Sequence, residues 1–103
     1  MYSRVTQLEI DTLRIGVDEA AAVFRAEVLP RLREMAGYEG VLVLTTPEGR
    51  GIIVSLWETR DALEAGSGFA AEQVARFMTL FAAPPGREHY QVALADLPGE
   101  LVT

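Results

Sequence analysis

Two apolar runs joined by a turn constrain this chain more than any other feature. Val41-Leu42-Val43-Leu44-Thr45 and Ile52-Ile53-Val54-Ser55-Leu56-Trp57 are rich in β-branched residues. Between them, Pro47-Glu48-Gly49-Arg50-Gly51 supplies the residue types that turn a hairpin. A strand with one face in water alternates apolar and polar side chains, because successive residues point to opposite faces. Here consecutive residues are apolar, so both faces of the hairpin need cover.

The flanking sequence indicates what provides it. Residues 4–13 read as a strand, with Leu8 and Ile10 on one face and Gln7 and Glu9 on the other. Gly16-Val17-Asp18 turns the chain, and Asp18 is the expected N-cap of a helix reaching about Met35. Phe24, Val28, Leu32 and Met35 form its apolar stripe, Pro30 is expected to kink it or start a second segment, and Gly37 ends it. After the hairpin, Thr59 caps a short helix to about Ala65, which Gly66-Ser67-Gly68 is expected to interrupt. A second helical stretch follows, with Ala70, Val74, Phe77, Met78 and Phe81 as its apolar face. Pro84-Pro85-Gly86 should end that stretch, and His89 to Ala95 reads as the last strand.

The order β-α-β-β-α-β is the split βαβ motif, an α+β ferredoxin-like fold. Right-handed crossovers then predict a four-stranded antiparallel sheet ordered 4-1-3-2, with both helices on one face. A second copy of the sheet is the cheapest cover for the other face, which predicts a homodimer. At 103 residues the chain fits one domain, over 1–103.

Composition removes several function classes. A formal net charge of −6 repels phosphate, so nucleic acid and anionic membrane are poor partners. With no Cys and one His, there is no disulfide, thiolate metal site, cysteine nucleophile or histidine cluster within one subunit, and no metal is expected. All nine basic residues are Arg, which excludes a lysine Schiff base and a phosphate-loop lysine. No apolar stretch is long enough to span a bilayer, and Met1-Tyr2-Ser3-Arg4 lacks a signal peptide's apolar segment, so a cytoplasmic location is expected.

Two segments carry a family resemblance. Leu29-Pro30-Arg31-Leu32-Arg33-Glu34-Met35-Ala36-Gly37-Tyr38-Glu39-Gly40 resembles the helix, Gly-aromatic-x-Gly, strand signature of dimeric α/β-barrel proteins. Ser55-Leu56-Trp57-Glu58-Thr59-Arg60-Asp61-Ala62-Leu63 is similar to their strand-Trp-helix junction, a Trp followed shortly by Ala-Leu. Together they resemble the antibiotic-biosynthesis-monooxygenase-like group, across about residues 3–96. The resemblance implies a dimeric α/β barrel, and a group that mixes cofactor-free oxygenases, haem-degrading enzymes and proteins without known activity. Family enzymes commonly use an Asn near the pocket, whereas this chain has none. Many members carry a His shortly after the Ala-Leu, and Gly66 stands at that position.

Strand parity nominates a site. Gln7, Glu9, Ser55, Trp57, His89 and Gln91 are expected on the sheet face away from the helices, lining the barrel. An apolar cavity with a few convergent polar groups is the usual form of a small-molecule site. The same residues also suit a polar rim or subunit contact. Trp57 and Tyr38 offer flat packing surfaces, and a Trp in this place equally suits a core whose N–H finds an acceptor. His89 or Glu9 is the candidate base, while a lone His at a strand start is also an ordinary edge residue. Gly66-Ser67-Gly68 could present free N–H groups or merely break the helix.

Three functions fit these expectations. The first is a cofactor-free monooxygenase-like protein that binds a small aromatic or polyketide-like molecule. Such a substrate gives its own electrons to oxygen after losing a proton, so no cofactor is expected. The second is a non-catalytic dimeric ligand-binding or regulatory module. The third is haem binding or degradation, for which His89 alone offers an axial ligand.

Overall fold

The computed structural model describes residues 1–98. Its elements are β1 (Tyr2–Ile10), α1 (Val17–Val23), a π-helical turn (Phe24–Val28), α2 (Leu29–Arg33), β2 (Tyr38–Thr45), β3 (Arg50–Trp57), α3 (Arg60–Arg76), a 3-10 turn (Met78–Leu80) and β4 (Phe81–Gln91). All strand pairs are antiparallel, in the order β2-β3-β1-β4. This is the α+β ferredoxin-like arrangement that the sequence predicts, with residues 17–33 as the first helical layer and α3 as the second. The expected domain over 1–103 includes residues 99–103, which lie outside those described.

The first helical layer changes its winding twice. Gly16 is the N-cap, and the expected cap Asp18 instead sits with Glu19 in the first turn, where carboxylates complement the helix dipole. Pro30 opens α2 immediately after the π turn, a position where its missing N–H costs little. The layer ends before Gly37, whose φ of 79° is a left-handed value that glycine adopts without strain.

Two expected breaks are absent. α3 runs unbroken through Gly66-Ser67-Gly68. Thr59 caps it, its Oγ1 accepting from the Ala62 N–H at 3.1 Å. Packing has overridden glycine's helix propensity, because a Cβ on Gly66 would meet Trp57 Cη2 at 2.6 Å. Pro84-Pro85 does not precede the last strand but lies within it, since β4 begins at Phe81. β4 is an edge strand, where proline costs fewer ladder bonds. Its register jumps from Gly86 opposite Gln7 to Ala83 opposite Glu9, so the two prolines bulge against Leu8.

The core lies between sheet and helices. Val28, Leu32, Trp57 and Leu63 are buried together, and Phe24, Tyr38, Phe69 and Phe77 pack around them. The opposite sheet face leaves Leu42, Leu44, Ile52 and Tyr90 substantially exposed.

Candidate functional site

Strand register decides which side chains can meet. Tyr2, Arg4, Thr6 and Leu8 of β1 stand opposite Trp57, Ser55, Ile53 and Gly51 of β3. On the other side of β1, Arg4 faces His89 and Tyr2 faces Gln91. Directly opposed residues share a face, so Arg4, Ser55, Trp57, His89 and Gln91 are in phase. Trp57 belongs to the core against the helices, with 1% of its surface exposed, and therefore this whole set faces them.

The expected barrel-facing set thus divides. Trp57, Ser55, His89 and Gln91 lie on the helix-covered face, the reverse of the prediction. Gln7 and Glu9 are exposed on the other face, where they border an open groove with Arg50, Ile52 and Pro84. Both faces of β3 carry mostly apolar residues, so alternation fixed which residues share a face but not which face the helices cover. Glu9 and His89 therefore do not converge within one chain.

What the helix-facing side does enclose is a cavity of about 100 Å³ beside the indole. Its polar lining is Arg4, Thr6, Ser55 and Gln73. The rest is apolar and aromatic, including Phe24, Phe69, Phe77 and Phe81. A second apolar lobe of about 90 Å³ shares Leu8, Phe24, Val28, Ile53, Phe77 and Phe81 with the first. Two aromatic walls are backed by cations: Arg31 lies 4.8 Å from the Phe69 ring centroid, and Arg76 lies 4.8 Å from that of Phe77. Arg76 also pairs with Glu27 at 3.3 Å, which ties α3 to the π turn.

Hydrogen bonds hold several of these side chains. Trp57 Nε1–H donates to Ser55 Oγ at 3.0 Å, so the indole is oriented from within its own strand. Arg4 Nε donates to Thr6 Oγ1 at 3.2 Å, and Nη1 donates to the Ser67 carbonyl at 2.7 Å. Gln73 Oε1 is buried without a partner. Tyr38 meets Trp57 edge-on at a centroid distance of 5.8 Å, behind the indole rather than on the cavity wall. Burial pushes the Tyr38 phenol above its ordinary pKa, and the Arg33 charge opposes that rise.

His89 is exposed at the sheet edge, and its Nε2 lies 2.8 Å from Ser67 Oγ. Neither His89 nor Gln91 lines the cavity, whose described lining holds no Asp, Glu or His. Arg4, Thr6 and Gln73 escaped the sequence-based selection. For Arg4 and Thr6 the signal was present, since both share parity with Leu8, one of the apolar residues on that face of β1. Among the described residues no group of three or more His, Cys, Asp or Glu could hold a metal, and no helix is long and apolar enough to cross a membrane.

No protein-family model matches the sequence. Among curated proteins, the chain is 35% identical over 95 residues to the uncharacterized protein Rv2558 of Mycobacterium tuberculosis. That match covers 91% of this chain but only 39% of the relative, so the chain spans about two-fifths of the length of the curated relative it matches. Solved structures resemble it more completely. The NE2512 protein of Nitrosomonas europaea, of unknown function, superposes with a TM-score of 0.75 at 22% identity, covering 96% of this chain and 95% of its own. The monooxygenase from ActVA-Orf6 of Streptomyces coelicolor, solved with nanaomycin D, gives 0.71 at 18% identity, with coverage of 95% and 92%. SnoaB, a cofactor-independent oxygenase from Streptomyces nogalater, gives 0.70 at 14% identity, with coverage of 95% and 97%. The structural neighbours of this chain include antibiotic biosynthesis monooxygenase-like proteins, and the chain has their ferredoxin-like fold.

Proposed function

We propose that this chain binds a small aromatic or polyketide-like molecule between sheet and helices, as a monooxygenase-like protein. The observation that carries the reading is the cavity: aromatic walls, a fixed indole, and a few polar residues in its lining. Such a site orients a flat molecule and excludes water, which is most of what cofactor-free oxygenation asks of a protein. The fold neighbours include a cofactor-independent oxygenase, which is consistent with that chemistry. Trp57 and Ser55 form the binding end and Tyr38 braces the indole. His89, paired with Ser67 beside the cavity-lining Gly66, is the candidate proton acceptor. Gln7 and Glu9 have no part in the proposed cavity, because they stand on the opposite face.

A second reading is non-catalytic ligand binding. The observation favouring it is that the cavity lining described above contains no carboxylate and no histidine to take a proton. We further propose that the chain forms a homodimer through its exposed outer face, using Leu42, Leu44, Ile52, Val54, Leu56 and Tyr90.

Oxygen uptake with anthrone and with 1,4-dihydroxynaphthalene, in metal-free buffer, separates the two readings. Acceleration above the spontaneous rate, reduced in His89→Ala, supports turnover. Quenching of the single Trp without any acceleration supports binding alone. No quenching and no acceleration would reject both.

A further inference from the structure

One buried side chain has no counterpart in the monooxygenase-like account. Arg4 is only 4% exposed, yet no carboxylate pairs with it among the described residues. The ion pairs found there are Arg14–Asp11 and Arg76–Glu27, both elsewhere. Its two hydrogen bonds go to a hydroxyl and a carbonyl, which satisfy N–H groups but leave the positive charge uncompensated. A buried charge without a partner is costly, and proteins keep one only where something offsets it.

The neighbours deepen the imbalance. Arg87 stands opposite Thr6 and His89 opposite Arg4, on the same face of the sheet. Burial, and after it repulsion from Arg87, lowers the proton affinity of the Arg4 guanidinium. In a chain whose net charge is −6, Arg4 and Arg87 share one face of the sheet, and no acidic residue stands opposite Arg4 on either neighbouring strand. Arg4 is one of the residues that line the cavity, together with Ser55, Trp57 and Gln73.

We propose that the cavity takes an aromatic acid, whose carboxylate pairs with Arg4 while its ring lies among Trp57, Phe69 and Phe77. A guanidinium meets a carboxylate with parallel N–H donors, and the low dielectric around it strengthens the pair. The ring is small. A cavity of about 150 Å³ holds benzene; neither lobe alone, at about 100 and 90 Å³, reaches that, so the ring spans both where they share Phe24, Phe77 and Phe81. This assignment rests on the cavity being the ligand site, as in the proposed function.

The test compares acids with their neutral isosteres on the intact chain. Benzoate and 2-naphthoate are titrated against benzamide and 2-naphthamide, read by calorimetry and by quenching of Trp57. The expected result is that one acid or both bind roughly ten- to a hundredfold more tightly than the matching amide. Arg4→Met should abolish that preference without lowering the melting temperature of the ligand-free protein, because it removes an uncompensated charge. Arg87→Met should keep most of the preference. Should Arg4→Met fail to fold, Arg87→Met decides: loss of the preference there overturns the assignment to Arg4, and its retention supports it. Amides binding as tightly as acids would overturn the anion inference and leave the cavity reading standing. No binding by any of the four compounds would overturn both.

Discussion

Gly66 and Gly68 lie two residues apart on α3, and the same substitution at each should have opposite effects. A Cβ on Gly66 would sit 2.6 Å from Trp57 Cη2 and 2.7 Å from Cε2, with Cζ2 closer still. Carbon atoms rest at about 3.5–4.0 Å, so the indole must retreat by roughly 1 Å. Val28, Leu32 and Leu63 pack with it in the core, which leaves movement toward the cavity or along the strand. Either direction strains the 3.0 Å bond from Trp57 Nε1 to Ser55 Oγ. Overpacking costs about 1–3 kcal/mol and a weakened hydrogen bond about 1. Replacing a helical glycine by alanine returns about 1 kcal/mol. The net expectation for Gly66→Ala is a loss of about 1–3 kcal/mol, a fall in melting temperature of about 5–20 °C for a domain of this size.

Gly68 has nothing within 4 Å of its virtual Cβ, so Gly68→Ala should raise stability by about 0.5–1 kcal/mol. Thermal and urea melts of the two single variants measure both signs, and near-ultraviolet circular dichroism reports the displaced indole. Equal stabilisation by both substitutions would refute the packing of Trp57 on α3, and with it the cavity wall.

Three further outcomes follow from named contacts. Thr59→Ala removes the oxygen that accepts from the Ala62 N–H and should cost about 1 kcal/mol in urea unfolding. Tyr38 has a folded pKa raised by burial, so its contribution to stability is whole below the ordinary tyrosine pKa and is lost as pH climbs through the raised folded value. Urea midpoints measured across alkaline pH should fall less steeply in Tyr38→Phe than in the parent. Val54→Asp places a carboxylate on the outer face in register with Leu42 and Val5, and under the proposed dimer sedimentation at micromolar concentration should show a dimer for the parent and a monomer for the variant.

Element order and sheet topology were legible because they rest on local signals that agree with one another. Thr59 caps its helix, Pro30 begins a segment, and the 41–57 hairpin turns where the glycines stand. The misread features depend on contacts far apart in sequence. Gly66 looks like a helix breaker until the indole beside it is known, and then its missing side chain is what lets α3 approach β3. Pro84-Pro85 looks like a terminator until the strand holding it proves to be an edge. The face of Trp57 was misassigned because Ser55 and His89 suggested an outward polar side, whereas polar residues here serve an interior site. A buried, unpaired arginine has no local signature at all.

The two helical walls of the cavity are built to different standards of stiffness. α3 is one continuous helix of 17 residues, whereas the opposite wall passes from α to π and back to α within residues 17–33. The π turn widens the backbone loop where Phe24 and Val28 reach into the cavity, and the chain returns to α geometry only at Leu29 and Pro30. Amide hydrogen exchange should show this as lower protection across 24–33 than across 60–76, with ligand slowing exchange mainly in the first segment. A bulkier guest would be admitted by unwinding at the π turn, leaving Gly66, the indole and the sheet in place.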